Sequence, residues 1–186
     1  MAANHITAPF TFHLSLFTFH FSLNQMLIIL NGSINAGKTT TSKKLCELLP
    51  RTAHVEVDSL REFIAWMSLE ESIPINLATS IAVTKIFLSH GLNVVLSYPL
   101  RAEDYEMMQR EFADVDGLYF FTLRPPMGIS QSQRGDRVLS EWEVSRIAYH
   151  YRTDGANPDC GIVIDNSQLT PEATARLILQ HAGVSL

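Results

Sequence analysis

Short apolar runs and longer amphipathic segments alternate along the chain from residue 26 to the C-terminus. The apolar runs predict five strands: Met26–Leu30, Ala53–Val57, Asn93–Ser97, Leu118–Leu123 and Gly161–Ile164. Apolar residues at helical spacing predict six helices: Lys38–Leu49, Ser59–Leu69, Pro74–His90, Arg101–Phe112, Leu139–Tyr151 and Thr170–His181. Residues 124–138 are predicted to form a loop. Strands that alternate with helices in this way predict an α/β fold, in which helices cover both faces of a parallel sheet.

The first 25 residues have a different pattern. No Lys, Arg, Asp or Glu occurs before Lys38, and apolar and polar residues alternate over residues 10–23 with one change of phase. The segment lacks the basic start and continuous apolar core of a signal peptide, and it is too interrupted to span a membrane. Three interpretations stay open: a start site placed ahead of Met26, an added hairpin or edge strand, or a disordered tail. We therefore expect an extra segment at 1–25, disordered or a start-site artefact, and one domain at 26–186.

The composition excludes several kinds of partner. The net charge of −5 and the lack of any basic cluster argue against nucleic acid. The seven histidines are scattered, and Cys46 and Cys160 stand alone, so neither a zinc site nor a redox motif is predicted. Unpaired thiols are typical of a reducing compartment. We expect a cytoplasmic protein without a membrane partner, acting as a monomer or homodimer.

One motif carries specific chemistry. The first predicted strand leads into Gly32-Ser33-Ile34-Asn35-Ala36-Gly37-Lys38-Thr39, which fits the phosphate-binding P-loop pattern, with a helical pattern directly after it. Glycines let successive backbone N–H groups point at phosphate oxygens, and the helix start favours the same anions. The lysine reaches the β- and γ-phosphates, and the threonine hydroxyl is a ligand for Mg²⁺. The sequence therefore predicts that a nucleoside triphosphate is held by Gly32, Ser33, Asn35, Ala36, Gly37, Lys38, Thr39 and Thr40.

Carboxylates at the end of the second strand are the next candidates. Asp58 is placed to orient and deprotonate an acceptor hydroxyl, or to hold Mg²⁺ together with Thr39; a helix cap is the alternative role. Glu56 shares its strand face with Asp58, and a metal or substrate contact and a structural role are both open. The third strand ends at Ser97, where many P-loop ATPases carry a metal-holding aspartate. That serine argues against a motor or switch ATPase.

Arginines follow in the predicted loop and helices. Arg134 and Arg137 are placed to neutralise the charge that develops on a transferred phosphoryl group, with surface ion pairing as the alternative. Arg101 is a further possible substrate contact, although a solvated arginine is slightly favoured. Arg146 and His150 lie four residues apart on one helix face, and a solvated face is the favoured interpretation.

The motifs together resemble a known family. The P-loop is followed by Val-Asp-Ser-Leu at 57–60, Arg-Gly-Asp-Arg at 134–137, Ile-Asp-Asn-Ser at 164–167 and Thr-Pro-Glu at 170–172. This series resembles the chloramphenicol phosphotransferase-like kinases, which are similar in turn to shikimate, gluconate and nucleoside monophosphate kinases. The resemblance runs from Met26 to the C-terminus. The chain departs from it in the extra N-terminal segment and in the interior of the P-loop.

The resemblance implies a fold and an activity. The fold is a three-layer P-loop NTPase fold with a five-stranded parallel sheet of order 2-3-1-4-5 and an arginine-bearing lid. The activity is an ATP- and Mg²⁺-dependent transfer of the γ-phosphoryl group to a hydroxyl of a small molecule. Asp58 acts on the acceptor hydroxyl, Lys38 binds the phosphates, and Arg134 and Arg137 belong to the lid. An ATP-binding or ATP-hydrolysing protein without an acceptor is the alternative.

Overall fold

The structure, a computed structural model, describes residues 25–133, 138–153 and 161–184. Within these ranges, five strands and six α-helices alternate, and one 3₁₀ helix, Val57–Ile64, follows the second strand. The strands are β1 Met26–Gly32, β2 Thr52–Glu56, β3 Asn93–Ser97, β4 Gly117–Leu123 and β5 Ile162–Ile164. The α-helices are α1 Lys38–Leu48, α2 Leu69–Ser89, α3 Ala102–Glu111, α4 Met127–Ser130, α5 Glu141–Arg152 and α6 Pro171–His181.

The strands form one sheet in the order β2-β3-β1-β4-β5, and every neighbouring pair is parallel. This order confirms the predicted five-stranded α/β fold. Parallel strands place all their carboxyl ends at one edge, where ligands bind in such sheets. The register brings Ser97 of β3 level with Leu30 of β1 and Glu56 of β2, so the P-loop and the end of β2 meet at that edge.

The core lies on both faces of the sheet because successive residues of a strand point to opposite sides. Leu27 and Ile29 of β1 pack with apolar residues of α2 and α3 on one face. Ile28 and Leu30 pack with α1 and α6 on the other. All four side chains are fully buried, and burying each one contributes about 1.5–3 kcal/mol. Burial of β1 on both faces fixes the start of the P-loop.

The region between β2 and β3 differs from the prediction. The predicted helix Ser59–Leu69 is replaced by the 3₁₀ helix, and α2 begins five residues before the predicted Pro74. Ser68 caps α2, because its hydroxyl accepts a hydrogen bond from the N–H of Glu71 at 3.3 Å. Pro74 therefore lies inside the helix, where it removes one N–H donor. A short helix, α4, also lies within the predicted loop.

Among the described residues, α2 alone is long and apolar enough to cross a membrane by length and composition, with a mean hydropathy of 1.3. Its residues Leu77, Ile81 and Leu88 are buried against the sheet. A core helix of a soluble protein meets the same two criteria. Contact with the sheet accounts for these buried apolar residues, whereas Ile75 and Ile86 of the same helix are exposed.

Candidate functional site

The P-loop joins β1 to α1 through two glycines with positive φ angles. Gly32 has a φ of 150°, and a β-carbon there would lie 2.7 Å from the carbonyl oxygen of Leu123. Gly37 is the N-cap residue of α1 with a φ of 95°. Side chains rarely tolerate these angles, so the spacing of the two glycines follows from the path of the backbone. The result is a turn whose N–H groups converge ahead of a helix start.

Lys38 lies across this turn. Its ammonium group donates to the carbonyl oxygens of Gly32 at 2.9 Å and Ser33 at 3.0 Å. The charge is thus held beside the loop whose amides would bind phosphate. Thr40 hydrogen-bonds back to the Gly37 carbonyl at 2.9 Å.

Three other elements hold the loop in place. The side-chain amide of Asn35 donates to the carbonyls of Ser130, in α4, and Ser132, at 2.9 and 3.0 Å. The buried amide of Asn166, after β5, donates to the Ala36 carbonyl at 3.0 Å. In the third contact, Oγ of Ser33 lies 3.1 Å from Nδ1 of His150 in α5. Contacts from three directions hold the cradle in one conformation.

Oxygen ligands for a hard cation meet beside the loop. Oγ1 of Thr39 donates to Oε1 of Glu56 at 2.5 Å. Ser97, level with Glu56 on the next strand, has its hydroxyl 2.9 Å from Nε2 of His54. Burial lowers the pKa of His54, the negative charge of Glu56 opposes this shift, and Lys43 adds to it. Hydroxyl and carboxylate oxygens are the donors that Mg²⁺ prefers, so the pair Thr39 and Glu56 fits that ion.

Next to the P-loop lies an open cavity of about 620 Å³. Asp58 and Tyr98 line it from the ends of β2 and β3, and Trp142 and Tyr149 line it from α5. Burial, followed by the negative charges of Asp58 and Asp104, raises the pKa of Tyr98 to about 12. Tyr98 is therefore a neutral hydrogen-bond donor at neutral pH. The cavity combines aromatic walls with a carboxylate at its P-loop side.

His150 of α5 connects this cavity with the P-loop. Its Nδ1 lies 3.1 Å from Oγ of Ser33, and the residue is 7% exposed. Burial, together with the positive charges of Arg146 and Lys38, lowers the pKa of His150 to about 4. The favoured interpretation of a solvated helix face is therefore wrong for His150. Arg146 lines the cavity and packs its guanidinium over the Tyr149 ring at 4.7 Å.

The predicted site residues divide into three groups. The P-loop residues and Asp58 lie at one edge of the sheet, as the strand order requires. Arg101 lines the cavity, but its side chain already contacts Glu103 at 2.5 Å and Asp104 at 3.2 Å. Arg134 and Arg137 lie outside the described residues, so their lid role stays a prediction.

The sequence-based prediction gave too little weight to two residues next to the P-loop, Glu56 and His150. Glu56 was left open between a metal contact and a structural role, although its position two residues before Asp58 was the available signal. The structure places Glu56 in contact with Thr39. His150 had no comparable signal, because its burial depends on how α5 packs over the P-loop.

No family model matches the sequence, and no curated protein matches it. Solved structures do. The tunicamycin resistance protein of Deinococcus radiodurans is similar with a TM-score of 0.61 and 19% identity, over 88% of this chain and 98% of that one. Shikimate kinase from Acinetobacter baumannii is similar with a TM-score of 0.59 and 20% identity, over 84% of this chain and 92% of that one. The APS kinase of Mycobacterium tuberculosis is similar with a TM-score of 0.66 and 13% identity, over 86% of this chain and 98% of that one.

The chain has the fold of the P-loop kinases. The similarity covers 92–98% of each of these three structures. At these identities the similarity concerns the fold, and the chemistry has to be argued from the residues of this chain.

Proposed function

We propose that this chain is an ATP-dependent small-molecule kinase, which transfers the γ-phosphoryl group of ATP to a hydroxyl group. One observation carries the proposal. The P-loop, which contains Lys38 and Thr39, contributes Ile34 to the wall of a cavity that Asp58 also lines, so the phosphate cradle adjoins a candidate acceptor site at one edge of the sheet. An acceptor hydroxyl in that cavity would lie between the carboxylate and the phosphate cradle.

The residues present fit ATP and Mg²⁺. Lys38 offers an ammonium group at the loop, and its two carbonyl contacts are replaceable by phosphate oxygens. Thr39 and Glu56 offer oxygen ligands beside it. We place Glu56 with Thr39 among the residues that hold the ion, and the metal contact that the sequence offered for Asp58 is the alternative to its role as proton acceptor. Mg²⁺, when bound, neutralises charge on the phosphates.

In the proposed transfer, ATP supplies the phosphoryl group and the leaving group, and a side chain of this protein accepts the proton. The acceptor oxygen attacks the γ-phosphorus, the bond from that phosphorus to the bridging oxygen breaks, and ADP leaves. Asp58 takes the proton of the acceptor hydroxyl. Tyr98, which stays protonated, donates a hydrogen bond that orients the acceptor. Arg134 and Arg137 remain the proposed lid residues that exclude water and neutralise the transferred group.

Known activities of the similar structures suggest a panel of acceptors. The similar solved structures include a tunicamycin resistance protein, a sugar kinase, a shikimate kinase and an APS kinase. The purified chain is incubated with ATP, Mg²⁺ and tunicamycin, monosaccharides, shikimate or APS. ADP release is followed, and phosphorylated product is identified by mass spectrometry.

The expected result is ADP release that one acceptor class stimulates, with a phosphorylated product, and that Lys38→Ala abolishes. ATP hydrolysis that no acceptor changes, and that Asp58→Asn leaves intact, would instead support the alternative of an ATPase without an acceptor. Binding of ATP with neither reaction would contradict an enzymatic role altogether.

A further inference from the structure

A second open cavity of about 790 Å³ lies between α2 and α3. Its floor is apolar: Ile73, Leu77 and Ile81 come from α2, and Met107 comes from α3. Both helices pack their inner faces on the sheet, and the groove is the space left between them. An apolar groove of this size, which we call the α2–α3 groove, is not needed for a nucleotide or for a compact polar acceptor.

The groove is continuous with the acceptor cavity. Ile73, Arg101 and Glu103 line both cavities. Both helices begin at the edge of the sheet that carries the P-loop, so the groove leads away from the reaction site along their axes. From Ile73 to Ile81 the helical rise gives a length of about 12 Å. A molecule with its hydroxyl at Asp58 would pass Arg101 to reach the groove, because Arg101 lines both cavities.

An ion pair bridges the two helices at the far end of the groove. Lys85 of α2 forms an ion pair with Glu111 of α3 at 2.7 Å, and its ammonium lies 5.9 Å from the centre of the Phe112 ring. Charged side chains otherwise line the rim, including Glu70 and Arg110. The groove thus has apolar side chains along its length, charged side chains around them that include the buried Asp104, a bridging ion pair at one end and residues shared with the acceptor cavity at the other. This shape suits the tail of a bound molecule better than a helix of another protein.

We propose that the acceptor is an amphiphile, with a hydroxyl-bearing polar head at Asp58 and an apolar tail in the α2–α3 groove. This proposal rests on the proposed kinase function, because the head is the phosphorylated part. Arg101, already paired with Glu103 and Asp104, lies at the junction of head and tail. Burial of the tail supplies affinity, while the polar head is positioned for transfer.

The test measures binding of n-alkyl β-D-glucosides of increasing chain length, from methyl to decyl, each below its micelle concentration, by titration calorimetry without nucleotide. Full burial of one methylene strengthens binding about fourfold, and an open groove should give about twofold. Affinity should rise with each methylene until the groove is filled. Equal affinity at all lengths, or no binding of the long glucosides, would overturn the proposal.

Variants locate the tail. Ala78 is exposed and lines the groove, so Ala78→Trp fills it and Ala78→Asp places a charge in it. Both should abolish the chain-length dependence. Thr79→Trp is the matched control, because Thr79 is exposed on the same helix, lies about 100° round the helix from Ala78 and does not line the groove. An equal effect of both tryptophans would count against the groove.

Failure of the two proposals can be told apart. Binding of ATP is measured on every variant, since neither Ala78 nor Thr79 lines the cavity next to the P-loop and substitutions there should leave ATP binding unchanged. Chain-length dependence without any phosphorylated product would leave the tail site standing and refute the kinase. A phosphorylated acceptor without chain-length dependence would support the kinase and refute the tail site. A change of oligomeric state in Ala78→Trp, with glucoside binding unaffected, would identify a protein interface and overturn the tail site.

Discussion

Oγ1 of Thr39 donates a hydrogen bond to Oε1 of Glu56 at 2.5 Å, so β2 brings a carboxylate to the second residue of α1. The neighbouring β3 ends at this level in Ser97, whose hydroxyl contacts His54 instead. The carboxylate next to the proposed metal position therefore comes from β2. That relationship depends on the parallel register of β2 and β3.

The first prediction concerns Glu56→Gln. The amide keeps the shape but loses the negative charge, so the Mg²⁺ requirement for binding an ATP analogue should rise by about 10–100-fold. Titration of Mg²⁺ against a fluorescent ATP analogue measures this without turnover. Glu47→Gln, at an exposed position of α1, is the matched control and should retain the wild-type titration. Identical curves for Glu56→Gln and wild type would contradict the assignment.

The second prediction concerns Asp58→Asn. Loss of the proton acceptor should lower the rate of acceptor phosphorylation by about 10²–10⁴-fold, since general base catalysis contributes that much. The dissociation constant of the ATP analogue should not change, because Asp58 lies on the acceptor side of the site. Acceptor-dependent ADP release and calorimetry give the two numbers.

Glu62→Gln, on the same 3₁₀ helix and exposed, controls for the loss of one negative charge. A rate for Asp58→Asn near that of wild type would assign the proton transfer to another group. Weaker nucleotide binding in Asp58→Asn would instead place its carboxylate at the phosphates or the metal.

The third prediction follows from the buried His150. Its pKa of about 4 in the folded state lies below the value of about 6.5 expected for an unfolded chain. The unfolded state binds the proton first as the pH falls, so the free energy of unfolding should decrease between about pH 6.5 and pH 4. His150→Gln keeps a polar partner for Ser33 but does not titrate, so this part of the decrease should disappear.

Urea unfolding midpoints at pH 7 and pH 5 measure the effect. The lowered pKa of His54 acts in the same direction, so His54→Gln should remove a second part of the decrease, and the double variant should be least sensitive to pH. An unchanged pH dependence in His150→Gln would mean that the histidine is not buried in the neutral form.

The sequence predicted most of the framework because the strongest patterns belong to buried elements. The five apolar runs match the five strands within about two residues. The reason is clearest for β1 and β3, because a strand buried on both faces needs apolar residues throughout. The prediction of an α-helix directly after Asp58 was wrong. Leu60 and Ile64 are spaced as on an α-helix, yet Phe63 is 84% exposed, and a 3₁₀ helix forms there.

The site was predicted only as far as local motifs extend. The P-loop and Asp58 can be recognised from the spacing of residues along the chain. The contact of His150 with Ser33 spans 117 residues, and the groove between α2 and α3 depends on how two helices pack. Neither relationship leaves a periodic signal, because each depends on tertiary packing and not on neighbouring residues.

The last prediction tests the packing on which the groove and the site both depend. Phe112 follows α3 and is 1% exposed within the core between the helices and the sheet. Phe112→Ala should lower the free energy of unfolding by about 3–5 kcal/mol, because it removes a large buried ring and leaves a cavity. Phe63→Ala, at an 84% exposed ring, is the matched control and should change it by about 0.5 kcal/mol or less. Denaturant unfolding of both variants gives the comparison, and equal losses would contradict the packing of α3 against the sheet.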